Sequence, residues 1–320
     1  MKVLIGPNNF GLEKGIPELA KAYPEIQFVH CATPTDLARE IVDADVFMGW
    51  LNRELFLSAK KLKWIQSPSS GVNMYLAIPE LAASDVILTS ASGTHGATLA
   101  DHTFAMILAF TRQILKAAAA QKEHRWAIRD LRPHMIELTG RTIGIVGFGA
   151  VGRAIAKRAQ AFDMRILAVD MFPKDKPDYV EKLSGLDGLD ELLRESDYVV
   201  ITVPYTPQTH KMIGAAQIAL MKPTAMLVGI SRGGIIDEAA LVAALREHRL
   251  AAAALDVTEK EPLPPESELW DVENLLITPH IAGGTQFEGR NILEIFTENM
   301  RRFVRGEFPL RNQVDKQRGF

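Results

Sequence analysis

The sequence predicts an α/β fold built on parallel sheets, in two successive parts. Three observations carry this reading. Short apolar runs alternate with helical patterns over most of the chain, and strands that alternate with helices pair in parallel under helical cover. The alternation occurs twice, on either side of one long apolar helical stretch. At 320 residues the chain is long for one domain and sufficient for two.

The first series places strands at 3–5, 26–29, 46–49 and 64–66, with a helix over 35–42 between them. The stretch 98–120 reads as one helix, with Phe104, Ile107, Leu108, Ile114 and Leu115 at helical spacing. A basic, less apolar segment, 122–133, reads as a connector into the second series. There strands are predicted at 142–146, 166–169, 198–203, 225–230, 252–257 and 275–278. Helices are predicted at 151–162, 238–248 and 286–305, the last long and amphipathic.

Composition excludes several function classes. Hydrophobic residues make up 47% and charged residues 23%, as in ordinary globular proteins. Lys and Arg number 36 against 39 Asp and Glu, a net charge of -3, so the basic footprint of a nucleic-acid binder is missing. Cys31 has no second cysteine to pair with, which favours a reducing compartment. The opening apolar run reaches Gly6 and Pro7 too soon for a signal-peptide core. No stretch approaches the ~18 uncharged apolar residues of a membrane span. The expectation is a cytoplasmic protein with no membrane or nucleic-acid partner and no metal.

The strand at 142–146 runs directly into Gly147-Phe148-Gly149-Ala150-Val151-Gly152, and a helical pattern opens at once. In this spacing Gly147 permits the tight turn, Gly149 lets backbone approach a pyrophosphate, and Gly152 lets helix and strand pack closely. The helix start adds N–H groups and a positive dipole end. A second strand ends in Asp170, which can accept hydrogen bonds from the adenosine ribose and repel a 2′-phosphate. A tight turn without ligand is the alternative, and the flanking strands and helix weigh against it. NAD is favoured over NADP, although Lys174 and Lys176 stand close enough in sequence to offset Asp170 in part.

Three segments that follow strand ends carry candidate chemistry, which is where ligands sit in such sheets. Arg232 lies beside two glycines; its guanidinium suits a carboxylate and can polarise a carbonyl. Glu261 lies in a proline-rich loop after Asp256, and on spacing alone it reads as a solvated loop residue. His280 follows a strand and a proline and precedes glycines. A lone His is more often structural, but that position suits a general acid–base. Together the three could donate a proton, bind a carboxylate and support an imidazolium during hydride transfer to a ketone. Spacing does not show that they meet.

These motifs resemble, in order and along nearly the whole chain, the D-isomer-specific 2-hydroxyacid dehydrogenases. The resemblance rests on the strand–GFGAVG–helix unit, Met221-Lys222-Pro223, SRGGIID at 231–237, LDV at 255–257, EPLP at 261–264 and TPHIAG at 278–283. The tail 313–320 and Pro264-Pro265-Glu266-Ser267 are most similar to the glyoxylate/hydroxypyruvate reductase A branch. The resemblance implies two doubly wound domains with a cleft between them. A flavodoxin-like substrate domain would comprise 1–97 and 286–320, and a Rossmann dinucleotide domain 98–285. It implies that Arg232, Glu261 and His280 are catalytic, and that Gly147, Gly149, Ala150, Val151, Gly152 and Asp170 bind the cofactor. Asp256 and the Ile230 backbone would hold the nicotinamide amide, with Val203 and Pro204 by the ring. Backbone N–H groups at Ser70, Gly71 and Val72 would hold the substrate carboxylate. The segment around Trp126 would join a homodimer interface.

Trp50 and Leu51, after a strand end, read either as cleft-lining residues or, for Trp50, as core. Two positions depart from the family pattern: Asn73 replaces its usual Asp, and Gly229 its usual Asn. The implied reaction is NAD(P)-dependent interconversion of a small 2-keto acid and the D-2-hydroxy acid. The alternatives on the same fold are a non-catalytic NAD-sensing corepressor and formate dehydrogenase, which has Gln where Glu261 stands.

Overall fold

The computed structural model describes residues 1–319 and divides into two units, Met1–Thr94 with Thr285–Phe320, and His95–Gly284. Unit 1 begins with β1 (Lys2–Ile5), α1 (Ile16–Ala22), β2 (Gln27–His30), α2 (Pro34–Glu40), β3 (Val46–Met48), α3 (Arg53–Ser58) and β4 (Trp64–Gln66). Two one-turn helices, α4 (Asn73–Leu76) and α5 (Pro79–Ala82), lead to β5 (Ile87–Thr89). The five strands are parallel in the order β2-β1-β3-β4-β5. β1, β3 and β4 are almost wholly apolar because helices cover both faces, whereas edge strand β2 has no fully buried position. Thr33 caps α2 by accepting from Asp36 N, and Asn52 caps α3 in the same way from Leu55 N.

Unit 2 opens with α6 (Gly96–Thr111), α7 (Ile114–Lys122) and α8 (Ile128–Leu131). The stretch expected as one helix, 98–120, is therefore two, bent by 64° at a break. The cause is tertiary. Thr111 O accepts from Ile136 N, and the Gln113 side chain donates to Phe110 O and His134 O, so the returning segment takes over the end of α6. Gln113 itself is left-handed, with φ 54°.

Then follow β6 (Thr142–Val146), α9 (Ala150–Ala161), β7 (Arg165–Val169), β8 (Lys182–Ser184), α10 (Leu189–Glu195), β9 (Tyr198–Ile201) and α11 (Ala215–Leu220). The unit continues with β10 (Met226–Gly229), α12 (Glu238–Arg246), β11 (Ala252–Leu255) and β12 (Leu275–Ile277). Its seven parallel strands run β12-β11-β10-β9-β6-β7-β8. β6, β9, β10 and β11 are buried at every position, as a sheet with helices on both faces requires. β9 and β11 stop two residues short of the lengths read from sequence, and their last apolar residues, Val203 and Val257, belong to the loops that follow.

The chain finally returns to unit 1 as α13 (Glu288–Arg305). Ile292, Phe296 and Met300 recur one helical turn apart and pack with Val3, Ile5, Val46 and Trp64 under the sheet. Trp64 stacks on Phe296, and Asn299 joins Gln66 and the 311 backbone in a buried hydrogen-bond network. Both sheets are thus doubly wound and parallel, as the sequence predicts.

Candidate active site

In unit 2 the strand order reverses between β6 and β9, and the loops after these strands lie at that switch point, where doubly wound sheets bind ligands. Gly147 follows β6 with φ 99° and donates from its N–H to Val169 O at 2.8 Å. A Cβ on Gly147 would stand 2.8 Å from Thr202 Oγ1 and 2.9 Å from Val203 N. A Cβ on Gly152, in the first turn of α9, would stand 2.2 Å from Gly147 O. At Gly149 no neighbouring atom lies within 4 Å of the same position. The first and third glycines therefore serve packing, and the second borders open space at the start of α9, where no side chain caps the Ala150, Val151 and Gly152 turn.

Asp170 stands after β7. Its carboxylate accepts from Phe148 N at 2.6 Å and from Phe172 N at 2.9 Å, which fixes its orientation beside the glycine loop. Of the two lysines considered against it, Lys176 donates its ammonium to Val180 O. The Lys174 carbonyl accepts from Arg153, whose guanidinium also stacks on Phe148. An open second glycine, an uncapped helix start and a held carboxylate fit a dinucleotide. Val203 lies beside Gly147, and Pro204 O accepts from Thr209 Oγ1.

The second cluster lies after β10, β11 and β12. A Cβ at Gly229 would stand 2.9 Å from both Ile236 Cδ1 and Leu255 Cδ2, so apolar side chains already fill the space a side chain there would need. Ile230 is buried. The backbone of Gly233 presses on Thr258 O, which joins the Arg232 loop to the Glu261 loop. Burial pushes the Arg232 guanidinium below its usual value, and the charge of Glu261 acts the other way. Arg232 donates to Ser231 O at 2.6 Å.

His280 has φ 53°, a left-handed conformation uncommon for a residue with a Cβ. Its Nδ1 lies 2.6 Å from Glu261 Oε2, while Glu261 Oε1 accepts from Thr258 N. A carboxylate only accepts, so Nδ1 carries the proton and Nε2 is the nitrogen left for exchange with a ligand. The ring is half-exposed. Asp256 is 2% exposed. Its carbonyl accepts from His280 N, and its carboxylate accepts from Thr278 Oγ1, Ile281 N and Ala282 N. Arg232, Glu261, His280 and Asp256, scattered over 49 positions of sequence, thus meet in one place.

The remaining residues lie in unit 1. Ala91 N donates to Ser69 O, and Ser70 Oγ to Ala91 O, which hold the loop that carries Ser70 and Gly71 into buried Val72 at the start of α4. Asn73 is the first residue of α4 and its carbonyl accepts from Ala77 N. Trp50 is half-buried. It touches Phe10 and, with Pro7, Leu51 and Met74, lines a cavity of about 550 Å³ at the ends of β1 and β3. Sequence reading gave no role to Thr258, Thr278 or His102, which all bond to this machinery; His102 was hidden inside an apolar helical pattern.

Comparison with known proteins supplies an independent line. The family model described as D-isomer specific 2-hydroxyacid dehydrogenase, NAD binding domain, matches residues 104–282. A glyoxylate reductase of Korarchaeum cryptofilum is 36% identical over 282 residues, covering 85% of this chain and 83% of that protein. A D-isomer specific 2-hydroxyacid dehydrogenase family protein from Aeromonas salmonicida superposes with a TM-score of 0.87 at 30% identity, over 98% of each chain. An NADPH-dependent glyoxylate/hydroxypyruvate reductase of Sinorhizobium meliloti, solved with NADP and sulfate, does so with a TM-score of 0.86 at 29% identity over 100% of each.

Proposed function

Since this chain belongs to the D-isomer-specific 2-hydroxyacid dehydrogenase family, we propose that it reduces glyoxylate, hydroxypyruvate or a related small 2-keto acid to the D-2-hydroxy acid, with His280 as the acid. The observation that carries the reading is the 2.6 Å contact between Glu261 and His280 beside Arg232. The nicotinamide cofactor, when bound, supplies the hydride that adds to C2. His280 delivers the Nε2 proton to the substrate oxygen, which completes the alcohol, and Glu261 stabilises the imidazolium before that transfer. Arg232 attracts the carboxylate and polarises the carbonyl. The reverse oxidation runs through the same groups, with His280 as base. In this reading residues 1–97 and 286–320 bind substrate, through N–H groups at Ser70, Gly71 and Val72 and with Trp50 alongside. Residues 98–285 bind the dinucleotide through the glycine loop, Asp170, Val203, Pro204, the Ile230 backbone and Asp256.

NAD is the proposed partner in preference to NADP. What supports this is the Asp170 carboxylate held by Phe148 N and Phe172 N, which can accept from an adenosine ribose diol and repel a 2′-phosphate, and Lys176, which is engaged with Val180 O. The Sinorhizobium relative was solved with NADP, so the preference is to be measured on this chain. A homodimer is proposed through the connector, where Trp126 is 91% exposed and Ile114, Leu115 and Ile128 are exposed beside it in sequence. A cytoplasmic location accords with the single, buried Cys31.

Initial rates with NADH and NADPH on glyoxylate, hydroxypyruvate, pyruvate, 2-ketobutyrate and phenylpyruvate test the reading. Faster turnover with NADH supports both parts of it; faster turnover with NADPH keeps the reaction and reverses the cofactor. Replacing His280 by Ala is expected to lower kcat roughly 10²–10⁴-fold, and a variant that keeps most of its kcat sinks the role given to His280. Measurable NADH binding with no turnover on any acid would favour a sensor instead.

A further inference from the structure

The loop that carries His280 rests on one face of α6. His95, Thr98 and His102 share that face, three and four residues apart. Thr98 Oγ1 lies 3.3 Å from Gly283 O, and a Cβ on Gly283 would stand 3.3 Å from His95 Cδ2. His102 Nε2 lies 2.9 Å from Thr278 Oγ1, which is 2.5 Å from Asp256 Oδ1. A threonine hydroxyl has one proton to give. If the Asp256 carboxylate takes it, Thr278 accepts from His102, and His102 carries its proton on Nε2. Asp256 in turn holds three consecutive amides: His280 N on its carbonyl at 2.8 Å, Ile281 N and Ala282 N on its carboxylate at 3.0 and 2.8 Å.

We propose that His102 is a positioning residue for the reaction, which fixes the His280 loop from α6 through Thr278 and Asp256. The inference rests on the reductase reading for its link to turnover, and on geometry alone for its link to the loop. The left-handed backbone of His280 makes the linkage consequential. That conformation is disfavoured by local sterics and persists because its neighbours hold it. Without the His102 donor, Thr278 Oγ1 loses the bond that orients it toward Asp256. The Asp256 carboxylate then loses its most closely placed donor, and the amides that set the imidazole position loosen. His102 touches none of the reacting atoms, so its effect is on placement.

The test uses His102→Gln, His102→Phe and Thr278→Val in the full chain, alongside wild type and His280→Ala. A Gln side-chain amide can place a donor near the position of Nε2, whereas Phe fills the same volume with no donor. His102→Phe and Thr278→Val are expected to lose kcat by about 10- to 100-fold, the scale of a displacement of roughly 1 Å in a catalytic group. His102→Gln is expected to recover most of that loss. Hydrogen exchange gives a readout independent of turnover. The Ile281 and Ala282 amides should exchange at least ~10-fold faster in His102→Phe, with β6 amides unchanged and Gln restoring protection. Equal impairment by Gln and Phe, or unchanged exchange and kcat in the Phe variant, overturns the proposal. If wild type reduces no substrate, the reductase reading fails by itself. The exchange of Ile281 and Ala282 then decides whether His102 holds the loop.

Discussion

The glycine loop makes opposite demands at two of its glycines, and a pair of alanine substitutions separates them. In Gly152→Ala the new methyl would lie 2.2 Å from Gly147 O and 3.1 Å from Ile145 Cγ2. The first is a backbone atom at the turn, so α9 and β6 must part by roughly 1 Å to restore van der Waals contact. Overpacking of this kind costs about 1–3 kcal/mol, and the rigidity of the carbonyl places this case at the upper end. Alanine returns about 1 kcal/mol of helix propensity, leaving a net loss near 2 kcal/mol. In Gly149→Ala the methyl meets no atom within 4 Å, and φ is -75°, which alanine adopts without strain. The cofactor-free protein should be as stable as wild type or gain up to ~1 kcal/mol from a less flexible unfolded chain. The methyl would occupy the space proposed for the pyrophosphate, so a similar 1–3 kcal/mol appears in binding, a Kd for NADH raised roughly 5- to 150-fold. Thermal melts without cofactor and fluorescence titration with NADH read the two quantities. Gly149→Ala should weaken only the second, and Gly152→Ala both. A Gly149→Ala protein that binds NADH as well as wild type refutes the placement of the phosphates at this glycine.

Three further outcomes follow from other parts of the fold. Burial alone would push the Asp197 carboxyl up, but Lys222 Nζ at 2.9 Å and Thr142 N at 2.8 Å more than offset it and hold it below the usual carboxylate range. Its stabilising effect is therefore complete above about pH 4 and disappears as pH falls through the lowered value. Asp197→Asn should cost ~1–3 kcal/mol in urea unfolding at pH 7, with the gap from wild type narrowing below pH 4. Asn299→Leu takes one donor from Gln66 Oε1, which keeps Thr89 Oγ1, and removes the acceptor of Arg311 N, and should cost about 1–3 kcal/mol, measured by chemical denaturation; a loss under ~0.5 kcal/mol would mean that water replaces the amide. Trp126→Asp should convert the expected dimer to monomer in sedimentation equilibrium, and an unchanged mass would place the interface elsewhere.

What could be read from sequence and what could not differ for physical reasons. The unit from 142 to 162 was legible because a wholly buried strand, three spaced glycines and an amphipathic helix are local signals that agree. β5 and β8 were not read; β8 is a polar edge strand with no buried position, so it carries no apolar run to see. The break between α6 and α7 falls in a run with no Gly or Pro, and its cause lies more than twenty residues away, in the carbonyls and amides of 134–136. At the site, each candidate was visible as a polar residue after a strand end. Glu261 is the instructive case. Spacing favoured a solvated loop residue, yet the Thr258 amide and His280 ring give its carboxylate two partners. Pairing across 19 positions is written in the fold and not in any local pattern.

The return of α13 to unit 1 has a consequence for how the protein is made. Residues 95–284 are contiguous and include the whole seven-stranded sheet, so that unit can fold as it leaves the ribosome. The five-stranded sheet cannot finish, because Val3, Ile5 and Trp64 await Ile292, Phe296 and Met300. At a synthesis rate of about 5–20 residues per second, the intervening chain keeps that apolar face bare for roughly 10–40 s. For that interval the nascent polypeptide presents a sticky surface next to an already finished neighbour, a natural target for chaperones that bind at the ribosomal exit tunnel.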